Sequence, residues 1–161
     1  QNPQDRPAGA QDRRQVKVIE PSVTANENAA PLIALQQESI EPGEGTGLWN
    51  AEWRLENVGA DPFELLTVRL PHGQFKSDEY RFEPATELRS GEQIRFHVTV
   101  RCHEPEGLVT ENAFLIFHVI RSGESWRIFV RIRVVAGLKG KPGTEVELIT
   151  TQKAGFSGMT S

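Results

Sequence analysis

The stretch Trp126-Arg-Ile-Phe-Val-Arg-Ile-Arg-Val-Val135 alternates along its length. Trp126, Ile128, Val130, Ile132 and Val134 fall on one side of an extended chain, and Arg127, Phe129, Arg131 and Arg133 fall on the other. A period of two is the signature of a β-strand with one buried face. The preceding run, Glu111 to Ile120, is apolar on both faces, and Ser122-Gly-Glu-Ser125 joins the two. A glycine at the first central position suits a type II′ turn, so the reading centres the turn on Gly123 and Glu124. That register pairs Val119 with Ile128, Phe117 with Val130 and Leu115 with Ile132 on an inner face. On the outer face it pairs Ile120 with Arg127, His118 with Phe129, Ile116 with Arg131 and Phe114 with Arg133.

Working outward, other segments carry the same alternation. In 48–58, Trp49, Ala51, Trp53 and Leu55 point inward. In 92–102, Ile94, Phe96, Val98, Val100 and Cys102 do, with Arg95, His97, Thr99 and Arg101 outside. Segments 31–40, 63–70 and 144–151 read as further strands, a short helix being the alternative for the first. Residues 71–84 read as irregular, with Tyr80-Arg-Phe82 a short edge strand. Glycine- and proline-bearing turns separate these runs, and no long amphipathic helix is visible. The pattern predicts an all-β, antiparallel β-sandwich of about seven or eight strands.

The ends differ in composition. Residues 1–30 are rich in Gln, Asn, Asp, Arg, Pro and Ala, too polar to offset their ordering entropy by burial, and are expected to form a disordered or weakly docked arm. The sandwich is expected over 31–152, with a flexible tail over 153–161. The chain begins at Gln1 rather than Met, which implies that residues have been removed before it; a signal peptide and trimming are not separable on this ground. Cys102 is the only cysteine of the 161 residues, so no internal disulfide forms and burial alone must hold the fold. No apolar run is long enough to span a bilayer. The compartment is not legible, with a slight lean to an extracytoplasmic one.

Two fragments, Leu55-Glu-Asn-Val-Gly-Ala-Asp-Pro-Phe-Glu-Leu65 and the run from Arg81 to Val100, carry a resemblance. Asn57-Val58-Gly59 after one strand, the Gly91-Glu92 turn and the alternating run 94–102 resemble bacterial immunoglobulin-like accessory domains of the CARDB type, over about residues 45–136. The resemblance implies an immunoglobulin-like β-sandwich and a binding or spacer role rather than an enzyme, and it names no partner.

The function expected from these features is non-catalytic protein–protein contact, with self-association included. Its surface would be the outer hairpin face: Phe114, Ile116, His118, Arg127, Phe129, Arg131 and Arg133. Arginine and aromatic residues together are the composition of interface centres. If 63–70 lies beside 111–121, Leu65, Thr67 and Arg69 extend the patch. Intramolecular cover by 144–151, by 16–23 or by Phe156 is the alternative. A second reading is a small-molecule or carbohydrate-binding module using His72, Phe75, Tyr80 and Trp126. Net charge −4 argues against a nucleic-acid binder. His97, Cys102 and His103 are close in sequence, but strand parity separates them, and Cys102 reads as core. Glu104, Glu106, Glu111 and Asp61 lack the spacing of a calcium loop. The glycine-rich 41–47 and 137–143 do not lead from strand to helix, as a phosphate loop must. No catalytic residue, cofactor or metal site is expected.

Overall fold

The computed structural model describes residues 30–154, and the expected arm and tail lie outside them apart from Ala30, Lys153 and Ala154. Among the described residues the strands are β1 (Ile33–Pro42), β2 (Leu48–Asn57), β3 (Phe63–His72), β4 (Phe75–Leu88), β5 (Gln93–Arg101), β6 (Val109–Arg121), β7 (Glu124–Ala136) and β8 (Pro142–Lys153). They form one antiparallel eight-stranded sheet of order β1-β2-β5-β4-β3-β6-β7-β8. The sheet curls until β1 and β8 become neighbours, giving a nearly closed, barrel-like wall around one interior.

Alternation explains the curl. Each strand has an apolar side that water penalises by about 25 cal/mol per Å² exposed. A flat sheet of these strands would leave that side wet. Rolled up, it fully buries Ala51, Trp53 and Leu55 of β2, Val68 and Leu70 of β3, and Leu115, Phe117 and Val119 of β6. Ile128, Val130 and Ile132 of β7 are equally inaccessible, and Phe96 of β5 meets Phe117 edge-on at 6.0 Å between ring centroids. The aromatic pairs extend through Phe82 to Tyr80.

Two expectations, the centre of the hairpin turn and the irregularity of 71–84, are corrected. The hairpin turn centres on Ser122 and Gly123, with φ of 52° and 77°, so both central residues lie in the left-handed region, as in a type I′ turn. Arg121 then faces Glu124, and the partners become His118 with Arg127, Ile116 with Phe129 and Phe114 with Arg131. Moving the turn by one position displaces each partner by two, so every side chain keeps its face. Segment 71–84 is not irregular: β4 runs as a long strand whose alternation is hidden by register shifts against β3. Residues 33–42 form the strand read for 31–40, and the alternative of a short helix falls away.

A register shift between Leu65 and Thr67 in β3 also changes sides, so that Leu65 is buried while Thr67 faces His118 and Arg69 faces Ile116. At the same end of the wall as the β6–β7 turn, Asn57 is fully buried and fully engaged. Its Nδ2 donates to the carbonyls of Asp61 and Leu88, both at 2.9 Å, and its Oδ1 accepts from the Gly59 N–H at 2.9 Å. Arg121 lies nearby over the Trp126 ring, 5.7 Å from its centroid, and its Nη1 donates to Asp61 Oδ2 at 3.1 Å.

The seam between β1 and β8 is closed by a side chain. β1 bulges beyond Gln37. The Gln37 Oε1 accepts from the Thr144 N–H at 2.9 Å and from its hydroxyl at 2.7 Å, and Nε2 donates to the Pro142 carbonyl at 3.3 Å. One amide thus stands in for a ladder. Gln37→Ala is expected to lower stability by about 1–2 kcal/mol, because it strands the Thr144 N–H. Urea unfolding monitored by tryptophan fluorescence measures this.

Candidate functional site

The outer faces of β3, β6, β7 and β8 form one continuous surface, built in rows by the strand register. One row runs Arg81, Thr67, His118, Arg127 and Gln152. The next runs Arg69, Ile116, Phe129 and Thr150, and a third runs Phe114, Arg131 and Leu148. Phe114, Ile116, His118, Arg127, Phe129, Arg131 and Arg133 are all half-buried on this side, so the register assembles the hairpin residues singled out from the sequence. Ile120 is half-buried beside them, and Leu148 is 48% exposed.

The arginines are not equivalent. Arg131 Nε lies 3.8 Å from Glu147. Arg133 lies 3.4 Å from Glu111 and 3.2 Å from Glu145. Strand β8 and the bulge at Thr110–Ala113, where Asn112 adopts φ of 60°, bring these acids to the arginines. Arg127, Arg69 and Arg81 have no ion pair among the described residues. Thus 144–151 lies beside β7 and extends the face rather than covering it, and it supplies acids to the far end. The other expected covers, 16–23 and Phe156, lie outside the described residues.

His118 sits at the centre of the charged row. Its Nε2 is 3.3 Å from the Ser125 hydroxyl. Burial first, and then the neighbouring Arg127 guanidinium, hold its pKa below the ordinary 6.5, with Glu79 pulling the other way. The imidazole is therefore more readily neutral here than in water.

The second set of sequence candidates is not assembled. Phe75 is fully buried and Trp126 is 6% exposed, so both are core residues rather than loop aromatics. They sit at opposite ends of the wall, beside the β3–β4 and β6–β7 turns respectively. Their alternating positions bury them once the sheet closes. Tyr80 is half-buried against Phe82 and Phe96. His72 ends β3 opposite Phe75, and its side chain lies outside the described residues. Two shallow clefts of about 390 and 410 Å³ share Thr46, Gly47, Cys102 and His103 in their linings, and neither is lined by Phe75, Tyr80 or Trp126.

Cys102 is buried, and burial together with Glu104 pushes its thiol up to about 11, which leaves little thiolate at neutral pH. His97 points outward, 3.8 Å from Glu52. Among the described residues no group of three or more His, Cys, Asp or Glu is placed to hold a metal ion. No described helix is long and apolar enough to cross a membrane. No protein-family model matches the sequence, and no curated protein matches it significantly.

The lowered His118 pKa has a defined sign. The unfolded chain binds this proton more readily than the folded one. The group's contribution to stability is therefore fully present above the unfolded value of 6.5 and is lost as pH falls through the folded value. In an NMR titration His118 is expected to titrate below 6.5, and Arg127→Gln to move it upward by removing the neighbouring charge. A titration at or above the ordinary value in the wild type contradicts the described environment.

Proposed function

We propose that this chain is a non-catalytic, immunoglobulin-like β-sandwich module of the bacterial accessory kind, working by protein contact through the outer face of β6 and β7. The strand order supports the fold reading. The sequence β1-β2-β5-β4 followed by β3-β6-β7 is the order of the two sheets of a constant-type immunoglobulin domain, with β8 appended. The pairing of β4 with β5 is confined to Lys76 opposite Arg101, a natural place for two sheets to part.

One observation carries the contact reading. Phe114, Ile116, Ile120 and Phe129 lie together on an outward face, with Leu148 48% exposed beside them, and no described segment lies across them. Contiguous apolar surface of this kind, rimmed by charge, marks interaction sites. The small-molecule reading has less support, because two of the aromatics it required, Phe75 and Trp126, are in the core.

The test is the double variant Ile116→Thr with Phe129→Ser. Both side chains face away from the interior, so the fold and its melting temperature are expected to change little. Light scattering over a concentration series reports self-association, and co-purification from an extract reports other protein partners. The variant is expected to lose association that the wild type shows. A folded variant with the same mass distribution and the same co-purifying proteins removes the proposal.

A further inference from the structure

We infer that the partner of this face is an acidic, extended protein segment, held by Arg127, Arg69 and Arg81 rather than by Arg131 and Arg133. The inference rests on the contact reading above and adds the chemistry of what is bound.

The argument is one of charge already used and charge left over. Arg131 and Arg133 are matched by Glu147, Glu111 and Glu145, so one end of the face is neutralised from within. Arg127, Arg69 and Arg81 carry no such partner among the described residues, although the chain as a whole has a net charge of −4. Acids near the row are Glu79, close enough to act on His118, Glu83, two residues along β4 from Arg81 on the same side, and Glu64, opposite Ile120; none lies within ion-pair distance of these arginines. A guanidinium is weakly hydrated and prefers a planar carboxylate partner, so unmatched arginines beside apolar surface select an anionic ligand.

The spacing fits a strand. Arg81 of β4 and Arg127 of β7 stand on one row, separated by β3 and β6. Three strand spacings amount to about 14 Å. Alternate side chains of an extended segment recur about every 7 Å on one side. Carboxylates at positions i and i+4 of a segment lying across the strands would reach both arginines. An intervening apolar side chain would meet Ile116 or Phe129, and Arg69 lies beside the path. The neutral tendency of His118 keeps the middle of the row free of a third cation and favours an uncharged side chain there.

The experiment uses the full chain and two fluorescein-labelled, strand-length peptides, one repeating Glu-Ser-Val-Ser, which places glutamates at i and i+4 with valine between them on one side, and one repeating Lys-Ser-Val-Ser, read by fluorescence polarisation. The acidic peptide is expected to bind at least about tenfold more tightly, and to weaken as salt is added. Arg69→Gln with Arg127→Gln is expected to abolish the preference, while Arg131→Gln leaves it within about twofold. Neither arginine of the double variant has an internal acid partner, so folding is retained. Equal binding of both peptides, still lost in Phe129→Ser, overturns the charge assignment and leaves the contact face standing. Binding that survives Ile116→Thr with Phe129→Ser removes the face itself. Failure of both peptides to bind, equal loss in Arg131→Gln, or tighter binding of oligouridylate than of the acidic peptide each overturns the inference.

Discussion

Everything in this molecule depends on burying one side of each strand without a covalent tie. With a single cysteine, the chain has no disulfide to restrict its unfolded state, so the apolar interior must supply the cohesion. That interior is contributed by segments far apart in sequence: Trp53 of β2, Leu70 of β3, Phe117 of β6 and Ile128 of β7 are all inaccessible to solvent. Contacts of such long sequence separation have to form together. The curl of the sheet, the order of its strands and the position of the outer face follow from that single requirement.

The polar residues at the margins complete what burial begins. Asn57 satisfies the carbonyls of Asp61 and Leu88 and the N–H of Gly59, joining the end of β2 to the end of β4. Arg121 occupies an inward position of β6 where the interior meets solvent, and it is tolerated there because Asp61 and the Trp126 ring receive its charge. Buried polar groups of this type stabilise only when their partners are in place. Here they also set where the strands stop.

Much of the architecture was legible from alternation. The strands at 48–58, 92–102 and 126–135 are found within a residue or two of their expected ends, since each has one apolar and one polar side. The assembly of Phe114, Ile116, His118, Arg127 and Phe129 on one face was also readable, because parity survives a displacement of the turn by one position. What was not legible depends on partners distant in sequence. The register shifts of β3 and β4 hide their period, so alternation alone puts Leu65 on the wrong side and makes β4 look irregular. The acids that neutralise Arg131 and Arg133 come from β8 and from the β6 bulge, and no local spacing announces them. Phe75 and Trp126 flank turns, which made them look like loop aromatics, yet closure of the wall encloses both.

The Gln37 clasp gives the molecule a mechanical direction. β7 holds β8 along its whole length, and β2 holds β1 similarly, but β1 and β8 are joined through three hydrogen bonds to one amide. The polypeptide leading into the wall enters through β1. Tension arriving along that lead is thus borne first by the β1–β2 ladder, which begins at Ile33 opposite Asn57, and meets the Gln37 clasp four residues further on. The side chain acts as a latch, and the seam it fastens is, with the single-pair junction of β4 and β5, one of two lines in the wall that lack a continuous ladder.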